Sequence, residues 1–516
     1  MSVDNRMTIR DIAQVYDGPH ATPEKIDEGP YFLSISSLEK GALDLSKSAH
    51  ISETDFVKWT KRVTPEEGDL LFSYETRLGD AALMPAGIVG CLGRRMGLLR
   101  PNREKVIPEY LLYAYLSPEF QEIIRANTVH GATVDRIALK DMSSFSIRIP
   151  PLADQERVVS VLSSQDKKIQ LNRQINQTLE SMAQAIFQSW FVDFDPVKAK
   201  IAAREQWQTL SDGERREWLN EMINKQAFLK TCLSELTANG EQSASETLYL
   251  NIAAMTTISS RNEISLAEMP ADEFSQLYKT ASLFPKRLVD SELGEIPEGW
   301  EFKRLSDLAD KISKGTTPNK KDIANSGDSE IIPFLKVRDI SDDGEIQRND
   351  LDMIQKSIHE SSLKRSILKK DDLLFSIAGT IGRVAVVEED LSNSNCNQAL
   401  AFIRLLEPLN FLEICRLNLV SKRVQDEVLS KVVQGVQSNF SLTGLGNIEI
   451  LIPESEFLNE FNSIVNSLRG LHINNSTEIR NLGFMRDTLL PILLSGELDV
   501  SSLTELSDID PAEMDV

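Results

Sequence analysis

Apolar residues recur along one stretch of the chain in alternating steps of four and three, beginning at Val158. Such a seam is typical of a long helix that packs along one face against a second helix. The same pattern returns 303 residues later. The first series is Val158, Leu162, Gln165, Ile169, Asn172, Asn176, Leu179, Ala183, Ile186 and Trp190, and the second is Phe461, Val465, Leu468, His472, Asn475, Ile479, Leu482, Arg486, Leu489 and Leu493. Two matching seams predict that the helices pair with each other. Asn172 and Asn475 occupy the same step, where a polar residue fixes register at a cost in stability.

The same offset relates segments upstream of both helices. GDLLFSYETRLG (68–79) aligns with DDLLFSIAGTIG (371–382), and FSIRIP (145–150) aligns with IEILIP (448–453). With a small shift, FLSISSL (32–38) matches FLKVRDI (334–340), and Thr22-Pro23 matches Thr317-Pro318. Similar composition alone does not produce a constant offset across strands, loops and a helix. The chain is therefore predicted to be an internal duplication of units of roughly 190 residues.

The predicted fold class is α/β, with two mixed domains that alternate with two long helices. The expected division is 1–150 for the first domain, 151–198 for the first helix, 199–300 for a helical insert and connector, 301–453 for the second domain, 454–494 for the second helix and 495–516 for an acidic tail. In the first domain, strands are predicted around 32–35, 70–73, 97–99 and 145–149, and helices at 53–59 and 108–126. A serine-rich loop is expected near 240–245 of the insert.

The acidity of the chain is unevenly distributed. The net charge is −22, yet residues 1–150 hold 18 basic and 21 acidic residues, and residues 301–453 hold 20 and 23. The two domains are thus nearly neutral, and a nearly neutral domain with basic clusters can bind a phosphate backbone. We find no signal-peptide core and no apolar run near 18 residues, so a soluble cytoplasmic protein is expected, with its four separated cysteines as reduced thiols.

Motifs for bond chemistry are missing from the sequence. There is no phosphate loop, no HExxH pair, no glycine-rich dinucleotide fingerprint and no amino-methyltransferase tetrapeptide, and the five histidines are scattered. Asp193 and Asp195 could be imagined as metal ligands, although a solvated turn before Pro196 explains them better. Asp166-Lys167-Lys168 resembles a nuclease signature but falls on the long helix. The chain is predicted to be non-catalytic, with no metal and no cofactor of its own.

The loops that follow the repeated LLFS strand differ sharply between the two copies. Tyr74-Glu75-Thr76-Arg77 in one copy aligns with Ile377-Ala378-Gly379-Thr380 in the other. Unlike loops on a shared scaffold are expected when two copies read different targets. Arginine suits guanine, glutamine suits adenine, and hydroxyl groups suit either base edge. Basic clusters could hold phosphates, although any one of them is equally expected as a solvated surface charge.

The predicted DNA-binding residues fall in both copies. In the first copy they are Ser34, Ser36, Lys61, Arg62, Tyr74, Thr76, Arg77, Arg94, Arg95, His130 and Thr133. In the second they are Lys320, Lys321, Lys336, Arg338, Lys364, Arg365, Thr380, Arg383, Gln434, Gln437 and Ser438.

These features together resemble the specificity subunit of Type I restriction-modification systems over nearly the whole chain. The resemblance rests on motifs that recur in the same order, namely the Thr-Pro loops, the DLLFS strands with Gly79 and Gly382 downstream, and the late glycines Gly131 and Gly435. It also rests on IPPLADQERV (149–158), QSWFVDFDPVKAK (188–200) and LFPKRLVDSELGEIPEGW (283–300).

The resemblance implies two target-recognition domains and an antiparallel coiled coil of the two helices, related by a pseudo-two-fold axis. It implies a non-catalytic subunit that reads a bipartite, asymmetric site on double-stranded DNA and docks two methyltransferase subunits. Restriction/translocase subunits would complete the nuclease, and S-adenosylmethionine, ATP and Mg are expected on these partner subunits, with no membrane involved.

The sequence departs from the family pattern at three places, one of which is the second seam, where His472 and Arg486 are expected to weaken the helix relative to the first. The second copy has Pro453-Glu454-Ser455 where the first has Pro150-Pro151-Leu152, and the 199–290 insert is long. Two other classes of protein remain open: an enzyme in its own right, and a coiled-coil adaptor that does not bind DNA. The enzyme lacks a cofactor motif, and the adaptor does not explain contrasting loops on matched scaffolds.

A helix of about 35 residues spans roughly 53 Å, or about 15 base pairs of duplex. If the helices set the spacing of the two half-sites, one extra turn in both copies should change the number of unread base pairs between them. Mapping the methylated motif measures this spacing. An unchanged motif would refute the helical ruler.

Overall fold

A computed structural model describes residues 5–39, 41–131, 134–226, 228–236, 241–318, 330–432 and 439–495. The chain divides into two compact units, residues 1–174 with 475–516 and residues 175–474. Each unit therefore contains one half of each long helix. No helix in these described ranges is long and apolar enough to cross a bilayer.

The first unit is built on a four-stranded antiparallel sheet. In spatial order its strands are Ala13–Asp17, Met96–Pro101, Leu70–Ser73 and Ala81–Leu83. The strand Leu70–Ser73 is buried throughout because it is central and is covered on both faces. A second sheet has the order Ala49–His50, Ile26–Phe32, Gly90–Cys91, the last two strands being parallel.

Helices and short strand pairs complete the domain of the first unit. The helices are Ile9–Ile12, Glu53–Trp59, Pro108–Leu116, Pro118–Ala126 and Leu139–Met142. The strand pairs are Arg6–Thr8 with Ser146–Arg148, Thr128–Val129 with Arg136–Ile137, and Leu38–Glu39 with Ala42–Leu43.

The second unit repeats the strand order of both sheets and the pairing of the first and last strands, which confirms the duplication. Its four-stranded sheet has the order Ala309–Lys314, Leu400–Leu405, Leu373–Ser376, Val384–Val386, and its three-stranded sheet the order Asp352–Gln355, Ile331–Leu335, Asn395–Cys396. Glu301–Arg304 pairs with Glu449–Ile452. The helices of this copy are Leu305–Leu308, Lys356–Glu360, Pro408–Val420, Lys422–Ser430 and Leu442–Gly446.

The insert of the second unit is helical, as predicted, and has its own apolar core. Its helices are Asp195–Thr209, Asp212–Lys225, Phe228–Leu236, Glu241–Ser259, Glu263–Ala267 and Ala271–Ser282, followed by the hairpin Leu288–Ser291 with Gly294–Pro297. The expected loop over 241–245 is wrong, because a helix begins at Glu241. Buried Lys200 donates a hydrogen bond to the carbonyl oxygen of Phe284 (2.7 Å), and burial lowers the pKa of Lys200 to about 7.

The long helices Leu152–Phe187 and Ser455–Ser495 pack in antiparallel fashion in the first unit. Arg486 Nη1 lies 3.0 Å from Asp166 Oδ1, and Asn172 Nδ2 donates to Glu478 Oε2 at 2.7 Å. Residue numbers thus fall on one helix as they rise on the other. The predicted polar step at Asn172 is buried, and its partner is Glu478.

The second unit shows the same direction of packing. Asn176 Nδ2 donates to the carbonyl oxygen of His472 at 3.3 Å. Further along, the rings of Phe191 and Phe461 have centroids 4.7 Å apart. The antiparallel pairing of the helices is therefore confirmed within each unit. The first helix leaves α-helical geometry after Phe187 and continues as a π-helical turn over Gln188–Val192.

Two elements of the first domain differ from the prediction. The expected helix 108–126 is two helices, because Ser117 precedes Pro118 and takes an extended conformation (φ −61°, ψ 148°). The Ser117 hydroxyl then caps the second helix by accepting from the backbone N–H of Phe120. The strand expected at 32–35 ends at Phe32 and gives way to a 3-10 turn over Ile35–Ser37.

The beginnings of the two long helices differ as the sequence predicted. In the first unit, buried Gln155 accepts from the N–H of Ile107 (2.9 Å) and donates to the carbonyl oxygens of Lys105 and Pro150. The matching residue of the second copy, Leu458, is buried but apolar. The three hydrogen bonds of Gln155 at the start of the helix therefore have no counterpart at Leu458.

An ion pair between a half-buried arginine and a buried aspartate recurs in both domains, although the sequence comparison did not single it out. Arg100 binds Asp69 through two hydrogen bonds of 3.0 and 2.7 Å. Arg404 binds Asp372 in the same way, at 2.8 and 2.6 Å. Two parallel N–H···O bonds make such a pair both strong and specific in geometry.

Replacing Asp372 with alanine should lower the free energy of unfolding by about 1.5–3 kcal/mol, because half-buried Arg404 would lose both charge-assisted hydrogen bonds to the carboxylate. The Asp372 side chain is 1% exposed, and the shift is measured as a lower midpoint of urea denaturation. The matched control is Glu389→Ala, which removes a 78%-exposed partner of Lys370 and should change stability by less than about 0.5 kcal/mol. Equal midpoint shifts in the two variants would contradict this.

Candidate nucleic-acid interface

Three segments that were predicted to read DNA meet at one end of the first sheet. In the loop after Leu70–Ser73, the N–H of Thr76 donates to the carbonyl oxygen of Asp135 (3.2 Å), beside the hairpin that carries His130. Arg77 Nη1 lies 3.4 Å from the carbonyl oxygens of both Ile35 and Ser36. The turn around residues 34–37, the post-strand loop that begins at Tyr74 and the late hairpin of Thr128–Val129 with Arg136–Ile137 therefore form one surface.

The side chains of this surface are largely paired with neighbouring acids. Arg77 Nε lies 2.6 Å from Asp80. Arg95 Nε lies 2.9 Å from Glu75, and its Nη1 donates to Thr76 Oγ1 at 3.3 Å. Both Thr76 (φ +69°) and Arg95 (φ +70°) adopt left-handed backbone conformations. Residues other than glycine rarely adopt this region, and such strain is concentrated at functional loops.

Tyr74 does not present its ring to solvent, contrary to the expectation for a base-reading side chain. It is 6% exposed, and its hydroxyl donates to Asp17 Oδ1 at 2.9 Å. Burial raises the pKa of Tyr74 well above its usual value. Asp17 also lies near His20 (3.1 Å) and Arg62 (3.8 Å). Tyr74 and Asp17 thus support the loop from beneath.

The serines of the preceding turn bond mainly to each other. Ser34 Oγ accepts from the N–H of Ser36 at 3.1 Å, and the two hydroxyl oxygens are 2.5 Å apart. Exposed His130 lies 3.0 Å from Asp135 through its Nδ1. Ser34, Ser36 and His130 thus have partners within the same surface.

The second unit places a similar surface at the matching end of its sheet. Lys336 and Arg338 both contact Asp352, Arg338 at 2.9 Å, and the hydrogen bond from Lys336 lowers the pKa of Asp352. Arg383 donates to the carbonyl oxygen of Ile340 at 2.6 Å and pairs with Asp342 at 2.5 Å. Exposed Thr380 lies in the post-strand loop.

Arg77 and Arg383 tie the loop to the turn from positions that are not equivalent in the alignment. The residue that matches Arg77 is Thr380, and the residue that matches Arg383 is Asp80. Both arginines nevertheless bond to backbone carbonyl oxygens of the turn that follows the middle strand of the three-stranded sheet. The same contact is made from two different places, so alignment alone does not reveal it.

Lys364 and Arg365 lie away from the second surface. The carbonyl oxygen of Arg365 accepts a hydrogen bond from Lys311, and Lys311 pairs with Arg404 near one end of the strand Leu400–Leu405. The post-strand loop begins after Ser376, which pairs with Leu400 at the other end of that strand. Among the described residues, Lys61, Arg94 and Lys364 have no ion-pair partner within 4 Å. Thr133, Lys320, Lys321, Gln434, Gln437 and Ser438 lie outside the described residues.

Metal-ligating side chains, a cleft and the cysteine thiols are the remaining groups of the described residues that could serve chemistry. No group of three or more histidine, cysteine, aspartate or glutamate residues in these ranges could hold a metal ion. A cleft of about 400 Å³ in the second unit is lined by charged residues that already pair, such as Arg416 with Glu180 at 2.9 Å. All four cysteines are buried thiols, and burial raises the pKa of Cys91 and Cys396 to about 12.

Comparison with known proteins adds a family to this geometry. The model of the Type I restriction modification DNA specificity domain matches twice, over residues 5–181 and 297–465, once for each copy of the duplication. The chain belongs to this family. The two matches together cover well over half of the chain.

Individual members of the family agree with the assignment. The Type I restriction enzyme HindI specificity subunit of Haemophilus influenzae is 31% identical over 78% of this chain and 80% of its own length. The MjaIX specificity subunit of Methanocaldococcus jannaschii is 22% identical over 88% of this chain and 83% of its own. The crystal structure of an S subunit from M. genitalium covers 95% of both chains at 13% identity with a TM-score of 0.43, too low to add to the assignment.

Proposed function

We propose that this chain is the DNA specificity subunit of a Type I restriction-modification complex and reads a bipartite, asymmetric site. Residues 1–150 and 301–453 would act as the two reading domains, one for each half of the site. The observation that carries the proposal is the combination of one repeated scaffold with two unlike loops, in a chain of the DNA specificity family.

The chain would act by recognition and assembly. We propose that it docks two methyltransferase subunits and, in a complete nuclease, restriction/translocase subunits. The bond chemistry would then belong to these partners, which would bind S-adenosylmethionine, ATP and Mg. The scarcity of catalytic motifs in the sequence supports this division of labour.

The positions of the side chains suggest separate tasks. We propose that exposed Arg77, Thr76 and His130 in the first copy, and exposed Arg338 and Thr380 in the second, contact base edges. Lys61 and Arg94, which are exposed and without an ion-pair partner among the described residues, are suited to phosphates. The residues outside the described ranges remain predictions from the sequence.

Deleting this chain from its host should remove methylation at one asymmetric two-part motif, because the methyltransferase subunits would lose the element that selects their target. Mapping methylated bases genome-wide before and after the deletion measures this. Restoring the gene on a plasmid is the control and should restore the motif. An unchanged methylation map would reject the proposal. If the chain were instead an adaptor that does not contact DNA, the affinity of the assembled complex for DNA would not depend on the DNA sequence.

Arg77→Ala should relax base discrimination in one half-site by about 1–3 kcal/mol. Discrimination is measured as the ratio of Kd values of the assembled complex for the cognate site and for single-base variants. Arg94→Ala is the matched comparison on the same surface and should weaken all sequences equally, with a salt dependence lower by about one charge. A uniform loss of affinity in Arg77→Ala would reassign that residue to phosphate binding.

A further inference from the structure

Each post-strand loop is held at its beginning by the hydroxyl group of a serine, and the two serines occupy equivalent positions in the two copies. Ser73, the last residue of the first strand, donates from Oγ to the carbonyl oxygen of Glu75 at 2.6 Å. Ser376, at the matching place in the second copy, donates to the carbonyl oxygen of Thr380 at 2.6 Å. The serine is common to both copies, whereas its acceptor lies two residues ahead in the first copy and four residues ahead in the second.

The end of each loop is held by a glutamine from a separate helix. Gln121 Nε2 donates to the carbonyl oxygen of Gly79 (3.3 Å) and to that of Tyr115 (2.9 Å). Each glutamine lies four residues beyond the serine that breaks and restarts the helical segment, so one carboxamide joins the last turn of one helix to the loop.

The second copy repeats this bridge. Gln425 Nε2 donates to the carbonyl oxygen of Gly382 (3.0 Å) and to that of Leu419 (2.6 Å). Both glutamines are partly buried. Among the described residues of each unit, no other side chain bonds both to the end of the preceding helix and to the glycine that ends the loop.

The glycines fit these glutamines closely. Gly79 and Gly382 have φ values of +90° and +99°. A Cβ atom would lie 2.1 Å from Gln121 Oε1 in the first copy and 2.2 Å from Gln425 Oε1 in the second. Only glycine adopts this backbone conformation readily and also leaves room for the carboxamide.

We propose that Gln121 and Gln425 are positioning residues for DNA reading, each acting on the half-site read by its own domain. The inference rests on the proposed function and adds the part of the scaffold that aims the variable loop. Each loop is fixed at both ends, by the serine of the strand and by the glutamine of the helix. Loop residues can then change the sequence that is read while the loop keeps its place.

The test uses the assembled complex with Gln121→Leu or Gln425→Leu in the full chain. Each variant loses two hydrogen bonds, so discrimination against single-base changes should fall about tenfold in one half-site and stay unchanged in the other. The unaffected half-site serves as an internal control for folding and assembly. The matched control variants are Glu122→Ala and Asp426→Ala, exposed neighbours on the same helices, which should read both half-sites normally.

A second pair, Gln121→Glu and Gln425→Glu, keeps the size of the side chain but cannot donate to the two carbonyl oxygens. These variants should reproduce the half-site effect even if the leucine variants fold poorly. Wild-type discrimination in the glutamate variants, or an equal loss in both half-sites, would overturn the inference. If the unsubstituted complex shows no sequence discrimination at all, the proposed function itself fails, before any variant is compared.

Discussion

The packing of the two long helices is the constraint on which each unit depends. In the first unit, Val158 and Leu162 share a buried apolar cluster with Leu490 and Leu493, residues more than 300 positions away. The entropic cost of closing such a long chain segment rises only slowly with its length. The free energy gained by burying the apolar seam, in contrast, increases with every helical turn that is paired. The contacts of Asp166 with Arg486 and of Asn172 with Glu478 then restrict the register to one choice.

The duplicated domains separate stability from recognition. The elements that recur are buried or half-buried: the central strand, the bidentate pair of Arg404 with Asp372 and its counterpart of Arg100 with Asp69, and the glycines that contact the glutamines. The elements that differ are exposed loop residues at the end of that strand. A rigid sheet can hold loops of different sequence because few core contacts depend on them.

Local charge pairing should limit the affinity of the proposed interface for a duplex of arbitrary sequence. Arg77, Arg95 and Arg338 each pair with an acid in the described structure. A base or phosphate must replace that acid, so the gain from a poorly fitting contact is small. In a chain of net charge −22, this arrangement disfavours binding driven by long-range attraction alone.

The sequence by itself determined the duplication, because the same motifs recur at a constant offset of 303 residues. The apolar period determined both long helices, and short local patterns determined the strand Leu70–Ser73 and the helix Glu53–Trp59. It also placed the variable loops, because they follow a repeated strand. Only the tertiary structure decided that Tyr74 is buried over Asp17, that Arg77 and Arg383 make the same contact from unmatched positions, and that Gln121 bridges to Gly79. These outcomes depend on side-chain direction and on contacts between segments far apart in the chain, which no local period records.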